Sequence, residues 1–210
     1  MPARLFVIAA PSGAGKTTLV NELVRRNPAL VFSVSYTTRL RRPNEIDGRD
    51  YFFVSEEQFH ELDREGELLE SALVFDNYYG TSRSQVEQHL AGGRNVVLEI
   101  DWQGARQVRV ARPDCVSVFI LPPSRDALAE RLRGRRTDSE HVIARRLAEA
   151  LGDMSHWNEF DFCVVNDDLE QAVAELEAIV AGEGRGNRCD TPALRGRIAG
   201  ILAGDRAPSH

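Results

Sequence analysis

The stretch Ala10-Pro-Ser-Gly-Ala-Gly-Lys-Thr-Thr18 decides how this chain is read. It follows Leu5-Phe-Val-Ile-Ala9, an apolar, β-branched-rich pentad of the kind that forms a buried parallel strand. It precedes Leu19, Val20, Leu23 and Val24, which recur at helical spacing until Asn27-Pro28 breaks the pattern. Strand, glycine-rich turn and helix in that order are the setting of a phosphate-binding loop. Gly13 and Gly15 let backbone N–H groups approach a polyphosphate closely. The helix N-terminus adds unpaired donors and partial positive charge. Lys16 then reaches the β- and γ-phosphates, and the Thr17 hydroxyl suits Mg2+. Ala10, Pro11, Ser12, Gly13, Ala14, Gly15, Lys16, Thr17 and Thr18 are the expected nucleotide-phosphate contacts.

The run matches G-x-x-x-x-G-K-[ST] except at its first position, where Ala10 replaces glycine. A strand-to-helix turn with no ligand accounts for Gly13 and Gly15 but gives no reason for Lys-Thr-Thr. Composition sharpens the point: Lys16 is the only lysine in the chain, beside 25 arginines. A compact ammonium among phosphates is not replaceable by a planar fork.

A length of 210 residues suits one α/β domain with a sizeable core. Net charge of −6 and a pI near 5.5 argue against non-specific nucleic-acid binding and against an anionic membrane surface. Cys115, Cys163 and Cys189 lack metal-ligand spacing and read as reduced thiols. The six-residue apolar run before Pro11 is short of a signal peptide, and no segment approaches membrane-spanning length. The expected location is cytoplasmic; oligomeric state is left open, with a homo-oligomer allowed.

Strands are expected at 31–35, 51–54, 68–70, 72–75, 96–101, 116–121 and 162–165, with a turn at 76–80. Helices are expected after the capping box Ser55-Glu-Glu-Gln58, from about Ser84 to Ala91, and after Pro122-Pro-Ser124. A further helix places Leu169, Val173, Leu176, Ile179 and Val180 on one face behind the caps Asn166-Asp-Asp168. Such alternation predicts a parallel α/β sheet with helices on both faces. Residues 35–83, whose short strands lack long intervening helices, read as an inserted lobe. Val96-Val-Leu-Glu-Ile-Asp101 ends in acid, as does a strand whose carboxylate meets a metal's water shell. Glycines at 182, 184 and 186 mark the end of the core. Beyond them one short helix is expected between Asp190 and Ala203, with Leu194, Ile198 and Leu202 on a face.

Six ordered motifs now carry a resemblance. The phosphate loop, Ser-Tyr-Thr-Thr-Arg at 35–39, Asp-Gly-Arg-Asp-Tyr at 47–51, Asn-Tyr-Tyr-Gly-Thr at 77–81, Ile-Asp-Trp-Gln-Gly at 100–104 and Val-Asn-Asp-Asp at 165–168 resemble bacterial guanylate kinases. The resemblance implies the P-loop NTPase three-layer fold, with a parallel central sheet, an inserted mixed α/β GMP-binding lobe and a short helical lid. It implies a domain at 3–183 made of a core (3–34, 84–124 and 147–183), the lobe at 35–83 and the lid at 125–146, followed by a tail at 184–210. It also implies reversible ATP-dependent phosphorylation of GMP to GDP in purine nucleotide recycling, with Mg2+.

By the same resemblance Arg39, Arg42, Tyr51 and Tyr79 match positions that hold the GMP phosphate, while Ser35, Glu70 and Thr81 match positions that read guanine. Guanidinium forks and phenol donors suit a dianion. A carboxylate at Glu70 accepts from both N1–H and N2–H2 of guanine, a donor pair that adenine lacks on that edge. Glu45 and Asp101 match acidic positions at the floor of that site, and Glu99 falls where many relatives have Asp. Seven arginines lie between Arg125 and Arg146. Arg131, Arg135 and Arg146 match the lid positions that close over the ATP phosphates, and Arg136 stands where relatives usually have Gly. Arg125, Arg133 and Arg145 read as a solvated helical face, Arg41 and Arg49 as part of a basic turn. Asn166 and Asp167 fall near adenine contacts and equally serve as helix caps. Two other functions fit the same pattern: a kinase acting on another phosphorylated acceptor, and a non-catalytic phosphopeptide-binding module.

Overall fold

A computed structural model describes residues 2–74, 76–134 and 140–204. Along the chain run β1 (Leu5–Ala9), α1 (Lys16–Arg26), β2 (Leu30–Phe32), β3 (Ser35–Thr37), β4 (Phe52–Phe53), α2 (Glu56–Arg64), β5 (Leu68–Val74), β6 (Asn77–Ser82) and α3 (Arg83–Ala91). There follow β7 (Asn95–Glu99), α4 (Trp102–Ala111), β8 (Val116–Leu121), α5 (Arg125–Arg133), α6 (Glu140–Asp153), β9 (Phe162–Val165), α7 (Leu169–Ala181) and α8 (Pro192–Ala203). Five strands form the central sheet in the order β2-β7-β1-β8-β9, with β2–β7 and β8–β9 parallel. Every residue of β1 is buried, as its unbroken apolar run requires.

The chain divides into two compact units, residues 1–7 with 27–116 and residues 8–26 with 117–210. In the first, a four-stranded sheet runs β4-β3-β6-β5, with β3–β4 parallel and the other pairings antiparallel. Helix α2 begins at the expected capping box. Ser55 accepts from the Gln58 N–H at 3.2 Å, and the Gln58 amide accepts from the Ser55 N–H at 2.9 Å. Such a cap contributes about 1 kcal/mol. Phe59 is the buried anchor of that helix.

Local signals misplace several elements here. The expected strand at 31–35 is two strands, β2 and β3, which belong to different sheets. The strands expected at 68–70 and 72–75 are one strand, β5 (Leu68–Val74), with a register shift between Leu68 and Glu70; Phe75 lies outside the described residues. Leu68, Leu69 and Glu70 are all buried, which strict alternation forbids and a bulge permits. The expected turn at 76–80 is mostly strand: only Asp76 (φ 64°) turns, and β6 begins at Asn77. The expected strand at 96–101 ends at Glu99, because Asp101 caps α4, a helix not among those expected from the spacing.

In the second unit α1 buries Leu19, Val20 and Leu23. Burying each such side chain is worth about 1.5–3 kcal/mol. Ser124 caps α5 and Asp168 caps α7, both accepting from the N–H three residues on, at 3.0 and 2.9 Å. Helix α7 buries Val173, Leu176 and Ile179, whereas Leu169 at its start is exposed, contrary to the expected face. Arg26 ties α1 to α7 through Glu170 at 2.8 Å.

The segment after residue 183 docks on this unit. Arg188 bridges to Phe162, the Cys189 N–H donates to the Asp161 carbonyl at 3.0 Å, and the Asn187 amide donates to the Cys163 carbonyl at 3.2 Å. Helix α8 buries Ile198 and Ile201, with Leu194 and Leu202 only half-buried. Arg125, expected on a solvated face, instead donates to the Leu202 carbonyl.

Candidate functional site

The second unit carries the phosphate loop. The Ala14 N–H closes a turn onto the Pro11 carbonyl at 3.2 Å, and the Leu19 N–H makes a helical bond to the Gly15 carbonyl at 3.2 Å. Gly13 (φ 88°) and Gly15 (φ 92°) are both left-handed, a conformation costly for any residue with a Cβ. Asp76 is the one non-glycine residue of positive φ among the described residues, so Ala10 needs none of glycine's freedom. Its departure from the motif is therefore sterically quiet. Pro11 and Ala14 are buried, Ser12 and Lys16 half-buried, and Thr17 and Thr18 exposed.

Three side chains expected near ATP meet this loop. The Asn166 Nδ2 donates to the Ala14 carbonyl at 2.7 Å. Arg131 donates from Nη1 to the same carbonyl at 3.3 Å and from Nη2 to the Asn166 carbonyl at 3.0 Å. Arg146 Nη2 donates to the Ser12 hydroxyl at 3.0 Å. Arg135, together with Arg136, lies outside the described residues. Arg145 pairs with Glu149 one turn on, at 2.8 Å, consistent with a surface role. Asp167, also expected near adenine, lies 3.7 Å from Arg197 of α8.

The first unit carries the expected acceptor residues. Register sets Ser35 opposite Thr81 and Glu70 opposite Thr81, so the three form one row across β3, β6 and β5. Tyr79 lies two residues from Thr81 and so on the same face. Glu70 is 3 % exposed, and its Oε1 accepts the Thr81 hydroxyl at 2.7 Å. A buried carboxylate held by a short hydroxyl donor is a fixed acceptor.

Beside the row, Tyr51 and Tyr79 meet edge-on with centroids 6.0 Å apart, and the Arg39 guanidinium lies 5.4 Å from the Tyr51 ring centre. Arg39 is also held by the Glu45 carboxylate at 2.7 Å and the Leu40 carbonyl at 2.8 Å. That guanidinium keeps the Glu45 carboxyl below the usual carboxylate range. Burial, followed by the charge of Glu99, pushes the Tyr51 phenol up to about 12, so it remains a donor at neutral pH. Arg42 reaches into solvent, 70 % exposed, with its N–H on Glu45 at 2.8 Å. Arg49 pairs with Asp50 at 2.8 Å.

Glu99 and Asp101 part company. Glu99 ends β7, whereas Asp101 accepts from the Gly104 N–H at 2.8 Å and from Gln103 at 3.1 Å as the cap of α4. Two residues of α4 have contacts that the motifs do not assign: Gly104, which closes the motif at 100–104, and Gln107. A Cβ on Gly104 would collide with Glu70 Oε2. The Gln107 amide spans the Ser71 backbone, donating at 2.6 Å and accepting at 3.1 Å. The Asp cap followed by Ala105 and Val108 was the available signal for this helix.

The sequence model of the guanylate kinase family matches residues 2–183. The chain belongs to that family. Among guanylate kinases, that of Methylococcus capsulatus is 54% identical over 198 residues, covering 94% of this chain and 97% of that protein. The guanylate kinase of Alkalilimnicola ehrlichii is 56% identical over 179 residues, 85% of this chain and 88% of its own. The crystal structure of guanylate kinase from Anaplasma phagocytophilum superposes with a TM-score of 0.71 at 34% identity, covering 93% of both chains. The family and the P-loop α/β fold expected from the six motifs therefore stand. No described helix is long and apolar enough to cross a membrane.

Proposed function

We propose that this guanylate kinase family member catalyses ATP + GMP = ADP + GDP, a reversible phosphotransfer onto a phosphate acceptor in purine nucleotide recycling. The observation that carries the reading is the Ser35–Thr81–Glu70 row, with its carboxylate buried and its orientation set by Thr81. In this reading Glu70 accepts from guanine N1–H and N2–H2, with Ser35 and Thr81 completing the base contacts. Arg39, Arg42, Tyr51 and Tyr79 hold the GMP phosphate. Glu45 fixes Arg39, and Glu99 and Asp101 form the acidic floor.

ATP lies on residues 10–18 with Asn166 beside them. Lys16, Arg131, Arg135 and Arg146 neutralise its phosphates. Both substrates are polyanions and repel, so cationic groups must offset that repulsion before an in-line approach. A phosphate monoester dianion is itself nucleophilic at neutral pH, so no general base is needed. Catalysis is then positioning with charge stabilisation. The exposed Thr17 hydroxyl, in the first turn of α1, is the hard oxygen donor that Mg2+ takes beside phosphates. When bound, that ion would offset charge on the β- and γ-oxygens.

The reading assigns residues 3–183 to the kinase domain, with core segments 3–34, 84–124 and 147–183, a GMP lobe at 35–83 and a lid at 125–146, then the tail at 184–210. It places the enzyme in the cytoplasm. A coupled assay of ADP formation across GMP, AMP and ribose phosphates tests it. Turnover with GMP and little with the others is expected. No GMP-dependent turnover would favour a binding module, and preference for another phosphate would move the acceptor.

A further inference from the structure

Asn166 and Arg131 make an arrangement that a base contact and a lid charge do not require. Both donate to the Ala14 carbonyl, at 2.7 and 3.3 Å, and Arg131 also donates to the Asn166 carbonyl at 3.0 Å. Three residues far apart in sequence thereby close a ring of hydrogen bonds behind the phosphate loop. Asn166 is 7 % exposed and Ala14 fully buried, so the Asn166–Ala14 bond is shielded from water, while the two Arg131 bonds are part-buried. Gly15 completes the fit, for a Cβ there would lie 2.5 Å from Asn166 Nδ2.

A planar trans peptide points its C=O and the next N–H in opposite directions. Fixing the Ala14 carbonyl toward Asn166 and Arg131 therefore fixes the Gly15 N–H away from them. A loop carbonyl turned toward the phosphates would repel them and remove a donor from the cradle.

We infer that Asn166, with Arg131, is a positioning residue that locks the Ala14–Gly15 peptide with its carbonyl turned from the phosphate site, and that Asn166 serves ATP through the loop and not through adenine. The inference rests on the reading of residues 10–18 as the donor-phosphate site. It gives Arg131 two roles that its five N–H donors allow, since two of them hold carbonyls while others face a bound polyphosphate.

The test compares wild type with Asn166→Ala and the near-isosteric Asn166→Asp. Each is assayed with ATP, with inosine triphosphate, which lacks the adenine amino group, and with inorganic tripolyphosphate as a competitive inhibitor. Thermal melting verifies that each variant is folded, and Asn166→Asp keeps the shape if the smaller residue unfolds the loop. Losing a buried carbonyl's donor predicts about a tenfold or greater fall in kcat/KM for both ATP and inosine triphosphate. The tripolyphosphate inhibition constant should rise by the same factor, with KM for GMP within twofold. Asn166→Asp, which sets a carboxylate against the Ala14 carbonyl, should lose at least as much. A loss confined to ATP would make Asn166 an adenine reader and overturn the inference, as would no loss in either folded variant. Failure of the wild type to bind any of the three triphosphates would instead overturn the donor-site reading beneath it.

Discussion

Gly104→Ala offers the sharpest test of the acceptor site, because helix propensity and the site predict opposite signs. Gly104 is the third residue of α4, and its N–H is already bound to Asp101 at 2.8 Å. In an ordinary helix this change stabilises by about 0.5–1 kcal/mol. Here the added Cβ would collide with Glu70 Oε2, approach Glu70 Cδ to 3.0 Å and lie 3.3 Å from Asp101 Oδ1. Glu70 is 3 % exposed and its other oxygen is tied to Thr81 at 2.7 Å, so the carboxylate has to shift within a buried row, and loss of the Thr81 hydroxyl is the expected outcome. A hydrogen bond to a charged group is worth about 1.5–3 kcal/mol, which at 1.4 kcal/mol per decade is roughly 10- to 150-fold. That is the expected fall in kcat/KM for GMP, with KM for ATP little changed. The melting temperature should fall as well, against the propensity trend. Glu70→Gln is the reference, losing GMP use while leaving ATP binding intact. If Gly104→Ala melts higher than wild type and uses GMP within twofold, Glu70 does not need the space that glycine leaves.

Two further outcomes follow from the second unit. Removing the chain after residue 183 takes away Ile198 and Ile201, each worth about 1.5–3 kcal/mol, so the protein should lose about 3–6 kcal/mol. At roughly 2–4 °C per kcal/mol, the melting temperature should drop by roughly 6–24 °C; a drop under 2 °C would show that α8 contributes nothing to the fold. Burial pushes the Cys163 thiol well up and raises Cys189 from an ordinary 9.0 to about 12. Both should resist iodoacetamide at pH 8 in the native protein and react on denaturation, read by peptide mass spectrometry. Because the raised values belong to the folded state, the Cys189 contribution to stability is intact below pH 9 and declines from there through about 12, and that of Cys163 likewise declines only above pH 9. Rapid native alkylation of either would contradict their burial.

How much of this was legible in the sequence depends on range. The elements that local chemistry determines were readable: β1 with its loop and α1, the Ser55 capping box, and β8 and β9 as continuous apolar runs. What failed depended on partners remote in the chain. Asn77-Tyr-Tyr-Gly80 has the composition of a turn, yet it is a strand because β3 and β5 pair with it on both sides. Residues 32–36 alternate apolar or aromatic residues with serine, and nothing local says that the chain changes sheets between Phe32 and Ser35. Helix α4 buries only Gly104, Ala105 and Val108, too small an apolar face to stand out among its arginines and glutamines. The site divides in the same way. Its residue types followed from motif resemblance, but the alignment of Ser35, Thr81 and Glu70 is a property of register. Gly104's role depends on a carboxylate 34 positions earlier in the chain, which no local pattern reports.

The same distinction explains the chain's lopsided choice of cation. Arg39 joins the Leu40 carbonyl to the Glu45 carboxylate, Arg83 joins the Gly66 and Leu68 carbonyls at 3.1 and 3.0 Å, and Arg131 joins the Ala14 and Asn166 carbonyls. Arg26 reaches Glu22 from Nε and Glu170 from Nη2, linking two helices. In each case one rigid plane sends divergent donors to two acceptors, a task for which a single flexible ammonium is poorly shaped. The fold thus uses guanidinium groups as cross-braces, and the charge they carry is already directed before any nucleotide arrives. A phosphate cradle asks for something else: a small cation that enters among backbone N–H groups without imposing a plane of its own. On the proposed reading of residues 10–18 as the donor-phosphate site, that requirement arises at position 16, where the chain has its only lysine.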